Sequence, residues 1–228
     1  MKSCFRLALV CLLPVPLLAA AAARLTPPSG ERILVAVVLT EGATMIDFAG
    51  PWEVFQDAQA PAGGGFAVSP FELYTVSDSR IPIHTSAGMT VIPDYSFQDA
   101  PLPQVVVVGA QGGHSPRMLD WLRQQAGRAD VLMSVCTGAA KLAAAGLLDG
   151  KAATTHHDFV DDFAQRFPKV KFVRSQRFVQ SDPVILTAGG LTSGIDAALH
   201  VVERYFGRDT AQQTAAYMEY QGTGWKRD

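Results

Sequence analysis

The sequence is poor in cysteine, in surplus positive charge and in long apolar runs, and each scarcity excludes something. Of its three cysteines in 228 residues, Cys4 and Cys11 fall within the first 23, so the remainder carries a single thiol, Cys136. One thiol cannot close an internal disulfide. Lysine and arginine number 19 against 21 aspartates and glutamates. Taking Lys2 and Arg6 away with the first 23 residues leaves 17 basic side chains against the same 21, a balance that argues against a general nucleic-acid surface. No stretch reaches the roughly 20 apolar residues that span a bilayer, so the reading includes no stable membrane anchor.

What stands at the start is a leader. Met1 to Arg6 carries Lys2 and Arg6, an apolar run follows from Leu7 to Leu18, and a string of alanines precedes Arg24. A positive, then apolar, then small-residue order marks a secretory signal, with cleavage expected near Ala23. Pro14 and Pro16 interrupt the apolar run, and no cysteine follows the small residues to take a lipid. The expectation is therefore a signal peptide over 1–23, one domain over 24–228, and export to a periplasm or the exterior. An exported chain with one unpaired thiol calls for a reason to keep it.

Hydropathy along the rest alternates between strand and helix patterns. Ile33 to Leu39 is a continuous apolar, β-branched run of the kind covered on both faces of a parallel sheet. Pro51 suits a first helical turn, which predicts a helix from about Pro51 to Ala58. Pro61 to Ser69 reads as a flexible glycine-rich loop. Strands are expected at Phe71–Val76, Val105–Val108, Val131–Val135, Ala152–Thr155 and Val184–Ala188, with a hairpin excursion over 81–92 and a second hairpin over 172–179. Helices are expected at 116–126, 137–145, 158–167, 193–206 and 209–220. The fold class that follows is α/β, with a mostly parallel central sheet. In such sheets, ligands bind beyond the carboxyl ends of the strands.

Cys136, the turn from Gly109 to Gly113 and the loop after Leu39 all fall at such ends. Cys136 stands where an apolar strand must bend into a small-residue helix, with Ser134 and Gly138 two residues to either side, a nucleophile-elbow pattern. At that elbow the sulfur is expected to face the positive end of the helix beginning at Thr137, which favours thiolate. His156 follows a strand expected to lie beside it, within reach of sulfur or substrate. Asp47 enters from the loop after the first strand as an acid, its plainer reading being a cap on the helix near Pro51. The amide of Thr137 and the turn at Ala110, Gln111 and Gly112 form the expected pocket for developing negative charge. A zinc set of Cys136, His156 and His157 lacks the usual ligand spacing, so no metal and no cofactor enter the reading.

Four segments also carry a resemblance: Asp47-Phe-Ala-Gly-Pro-Trp-Glu-Val-Phe55, Val135-Cys-Thr-Gly-Ala139, Ala153-Thr-Thr-His156 and Ile185-Leu-Thr-Ala-Gly-Gly-Leu-Thr-Ser-Gly-Ile-Asp196. Together they resemble the ThiJ/PfpI superfamily of the class I glutamine amidotransferase-like fold, and within it the isonitrile hydratase branch. The resemblance implies a flavodoxin-like three-layer sandwich, a homodimer, Cys136 as the reactive thiolate and Asp47 as its acidic partner. It implies hydration or hydrolysis of a small electrophile, foremost an isonitrile giving an N-substituted formamide by a hydro-lyase reaction. Glyoxalase or deglycase action on small aldehydes is the alternative, as is a non-catalytic redox or ligand sensor built on Cys136. Where the family commonly has Pro-Gly-Gly, this chain has Gly109-Ala-Gln111, which alters the expected oxyanion turn; where an aromatic often follows the motif histidine, it has His157. The same branch includes sensor halves of AraC-type regulators, but the leader and the short stretch after Phe206 speak against direct transcription control.

Overall fold

The computed structural model describes residues 23–59 and 69–226. The expected leader, apart from Ala23, and nearly all of the glycine-rich loop expected from Pro61 to Ser69 lie outside the described residues. In chain order the strands and helices are β1 (Ile33–Val38), α1 (Met45–Asp57), β2 (Phe71–Ser77), β3 (Ile83–His84), β4 (Thr90–Val91), β5 (Tyr95–Ser96), β6 (Val105–Val108), α2 (Pro116–Ala126), β7 (Val131–Val135), α3 (Ala139–Ala144), β8 (Ala152–Ala153), α4 (Val160–Arg166), β9 (Lys171–Phe172), β10 (Phe178–Gln180), β11 (Ile185–Ala188), α5 (Ser193–Phe206) and α6 (Arg208–Tyr217).

Seven strands form the main sheet in the order β10-β11-β7-β6-β1-β2-β5, parallel throughout except for the pairing of β10 with β11. Because successive strand residues point to opposite faces, β1 feeds two cores. Ile33, Val35 and Val37 join residues of α1, α5 and α6 on one side, whereas Ala36 and Val38 join residues of α2 and α3 on the other. The sandwich has three layers, and its interior strands read as unbroken apolar runs because neither face meets water. All four valines of β6 are fully buried.

The register brings the chemistry to one edge. Val108 lies opposite Ser134 and Val135 opposite Ala188, so Gly109, Cys136 and Gly189 leave neighbouring strands side by side at their carboxyl ends.

Four expectations change. Helix α1 begins at Met45, six residues before Pro51, so Asp47 sits in its first turn and not in the loop. Tertiary packing outweighs the local signal here: a side chain on Gly50 would meet Ile195 at 3.1 Å, so the Gly50-Pro51 step is where α1 closes on α5. Residues 172–179 do not form a hairpin, because β9 pairs in parallel with β8 while β10 pairs with β11. Strand β8 therefore belongs to a separate two-stranded sheet, not beside β7. The elbow helix is also shorter than expected, a 3-10 turn over Cys136–Gly138 followed by the six residues of α3.

Candidate active site

Cys136 has φ of 57°, a left-handed conformation that an L-residue adopts only when its surroundings impose it. Those surroundings are visible. The Cys136 amide donates to the carbonyl of Gly189 at 2.8 Å, and the Thr155 hydroxyl donates to the Cys136 carbonyl at 2.9 Å. Two residues on, a Cβ at position 138 would stand 2.0 Å from the Val108 carbonyl oxygen, so glycine is obligatory where the elbow passes under β6. The thiol itself is buried, with the residue only 6 % exposed.

Asp47 reaches this elbow from α1. It is fully buried, and the Ala110 amide donates to its Oδ2 at 2.9 Å. That bond spans 63 residues of sequence, and it shows that Asp47 does not cap its own helix. The approach depends on Gly109, where a Cβ would come within 2.8 Å of the Asp47 Cβ. The buried Oδ1 lacks a hydrogen bond of good geometry, which leaves one carboxylate oxygen for exchange with a neighbour.

Asp47 and Cys136 titrate as partners. Burial raises the Asp47 carboxyl to about 6, opposed by the Ala110 amide, the Cys136 thiol, the charge of His156 and the Leu191 amide. Burial also raises the Cys136 thiol to about 11, reinforced by the Asp47 charge and opposed by the amides of Thr137 and Leu191. The expected helix-stabilised thiolate is corrected accordingly: α3 is too short, and desolvation beside a carboxylate outweighs two amides. At neutral pH the resting pair is thiol and carboxylate, with the base already next to the proton it must take.

His156 is brought to the same edge by Thr154, whose amide donates to the Thr187 hydroxyl of β11 at 2.9 Å. Its ring occupies the space left by Gly190, where a Cβ would lie 2.3 Å from Cδ2. The ring stacks on exposed His157 at 4.4 Å and accepts the Asp158 amide through Nδ1 at 3.3 Å.

The turn after β6 does something other than expected. The Ala110 amide is committed to Asp47, and the Gly112 amide donates to the Glu41 carbonyl at 2.8 Å. Gln111 holds the loop after β1 through Thr40, whose amide donates to its Oε1 at 2.6 Å, while Lys141 Nζ donates to its carbonyl at 2.9 Å. These bonds assign the turn to positioning the acid. The amides that face the sulfur come from Thr137, as expected, and from Leu191, which the sequence reading missed. Leu191 also has a positive φ, 51°, so the left-handed Cys136 after β7 is met by a second left-handed residue after the adjacent β11. The signal for it was Gly189-Gly190, a pair that lets the chain turn tightly from strand into helix.

Beside the thiol opens a cleft of about 400 Å³ lined by, among others, Thr155, His156, Arg174, Arg177, Leu191 and Ser193. Among the described residues, the one grouping whose ligand atoms lie close enough for a metal is His156, His157 and Asp158. It omits Cys136, so the zinc set weighed from sequence is not assembled. No helix of the described residues is long and apolar enough to cross a membrane.

The DJ-1/PfpI family model matches residues 33–204. The isonitrile hydratase of Pseudomonas putida is 33 % identical over 180 residues, which cover 77 % of this chain and 73 % of that protein. The HTH-type transcriptional regulator GbdR of Pseudomonas aeruginosa (strain UCBPP-PA14) is 27 % identical over 191 residues, 82 % of this chain but half of the regulator. Among solved structures, a ThiJ/PfpI family protein from Pseudomonas syringae superposes with a TM-score of 0.71 at 26 % identity, covering 84 % of this chain and 76 % of that one.

Proposed function

Since the chain belongs to the DJ-1/PfpI family, we propose that it is a cysteine-dependent hydro-lyase for a small electrophile, with an isonitrile as the substrate that fits best. The observation that carries this reading is the buried Asp47 beside Cys136, its carboxyl raised to about 6. A base of that strength is ionised at neutral pH yet close enough in proton affinity to hand the proton on.

The reaction runs in two halves. As the thiol proton passes to Asp47, the sulfur forms a bond to the terminal isonitrile carbon, and Asp47 returns the proton to that carbon to give a thioimidate. Water then adds across the carbon–nitrogen double bond, its oxygen to carbon and one proton to nitrogen. The carbon–sulfur bond breaks, the remaining proton returns to sulfur by way of Asp47, and N-substituted formamide leaves. The amides of Thr137 and Leu191 steady the sulfur whenever it bears charge. The likeness to the isonitrile hydratase of Pseudomonas putida supports this choice of substrate.

The test is formamide formation from isonitriles by the purified protein, followed by mass spectrometry, with Cys136→Ala and Asp47→Asn as controls. Failure of the unaltered protein to convert any isonitrile overturns the reading. Methylglyoxal in the same assay tests the aldehyde alternative.

A second reading is a non-catalytic redox or ligand sensor, supported by the likeness to the transcriptional regulator GbdR and opposed on the redox side by the raised thiol, since peroxide reacts with thiolate. It predicts no turnover and a gain of two oxygens at Cys136 under peroxide. Export belongs to the proposal as well. It rests on residues 1–23, and the chain directly after them is held against α5, with the Leu25 amide donating to the Arg204 carbonyl at 2.9 Å. Homodimer assembly and the lack of a nucleic-acid partner complete the proposal.

A further inference from the structure

We propose that the cleft beside Cys136 selects substrates whose substituent carries a carboxylate or similar small anion, placing that group against Arg174 and Arg177 while the electrophilic carbon meets the sulfur. This specificity rests on the hydratase reading for its reaction, but the cleft's preference for an anion can be measured without it.

The cleft wall is asymmetric in charge. Arg174 and Arg177 line it, while the carboxylates that pair with them, Asp161 and Asp196, stand outside the lining. Asp196 is buried behind Arg177, accepts from Arg177 Nε at 2.5 Å and holds the guanidinium in place together with Thr192. A guanidinium presents five donors in a fixed fork, so pairing its Nε and Nη2 leaves Nη1 for a ligand. Arg174 engages Asp161 through Nη2 alone, and that carboxylate is 80 % exposed and well screened.

The same wall includes the start of α5. Thr192 and Ser193 line the cleft, and this 14-residue helix has no side-chain cap at its N-terminus. The amides of Ser193, Gly194 and Ile195 there donate to the carbonyls of Gly190, Leu191 and Thr192, and Asp196 stands in the first turn, so the attraction for an anion comes from the two arginines. Leu191, which lines the cleft and turns its amide to the Cys136 sulfur, joins the cleft to the thiol, while Gly189 and Thr155 hold the Cys136 backbone.

Alkylation of Cys136 tests the preference directly. Iodoacetate and iodoacetamide differ only in the charge of the group that would enter the cleft. The ratio of their rates is expected to fall about three- to fivefold in Arg174→Gln relative to the unaltered protein, the loss of one partly screened ionic contact. In the unaltered protein the ratio is expected to decline as salt is raised beyond physiological strength. A ratio insensitive to both the substitution and salt overturns the proposal. In turnover, isocyanoacetate is expected to exceed cyclohexyl isocyanide in kcat/KM, chiefly through KM, and equal values overturn the anion preference while leaving the hydratase intact. Absence of turnover with both overturns the hydratase and leaves the alkylation result to decide the cleft.

Discussion

A side chain at position 109 and the carboxylate of Asp47 exclude one another: a Cβ on Gly109 would stand 2.8 Å from the Asp47 Cβ, well inside contact distance. The turn after β6 thus lets α1 deliver an acid to the elbow, and the Ala110 amide then holds that acid in place. Gly109→Ala is expected to push Asp47 away from Cys136, cutting kcat/KM by at least about tenfold and costing about 1–3 kcal/mol of stability. Gly113→Ala, where a Cβ meets nothing within 4 Å, is the matched control and should leave both unchanged. Equal kinetics and melting for the two variants would remove Asp47's placement from the mechanism.

Asp47→Asn separates nucleophilicity from proton transfer. Asp47's charge and hydrogen bond both raise the Cys136 thiol, so the amide should lower it from about 11 and speed alkylation by iodoacetamide at mildly alkaline pH. Turnover should nevertheless fall about 10²- to 10⁴-fold, because the relay has no base. A variant that alkylates faster and also turns over normally would show that only the thiolate matters.

Stability should depend on pH in the acid range, with a definite sign. Asp47 has a folded-state pKa of about 6 against an ordinary 3.8, so between those values the folded protein binds more protons than the unfolded chain. Its contribution is fully present below about pH 4 and is lost as pH rises through about 6. Relative to Asp47→Asn, the unaltered protein should lose on the order of 2–3 kcal/mol over that window in denaturant titrations. Activity runs in the opposite sense, since the relay needs the carboxylate: kcat/KM is expected to rise with a midpoint near pH 6. A flat stability difference would mean that Asp47 is not held in a desolvated site.

Gly190→Ala tests the role of His156. The added methyl would lie 2.3 Å from the ring and must turn it out of its place. His156 lowers the Asp47 carboxyl through its charge, so its displacement should move the acid limb of the rate profile above pH 6, as should His156→Ala. An unmoved limb in both variants would assign His156 to shaping the cleft alone.

Much of the fold could be read directly. β6, β7, α2 and α5 stand at their expected bounds because each combines a clear apolar pattern with local stop signals such as Pro116 and Gly207. The element that misled was α1: its early start is set by packing against α5, which no local propensity encodes. The β8–β9 region misled for a related reason, since two-residue strands have too few side chains to show which partner they choose.

The candidate site divides along the same line. Identity and approximate place were in the sequence: a lone thiol between strand and small-residue helix, an acid after the first strand, a histidine after a later one. Local composition is enough to mark such an elbow, because only small residues permit its geometry. Tertiary structure alone decided the protonation and the backbone partners. Burial of the Asp47–Cys136 pair reverses the expected thiolate, since desolvation depends on what packs around a charge and not on its neighbours in sequence. The Leu191 amide and the two arginines of the cleft come from segments 38 to 55 residues beyond Cys136, and only the parallel register of β7 with β11 brings that part of the chain to the sulfur.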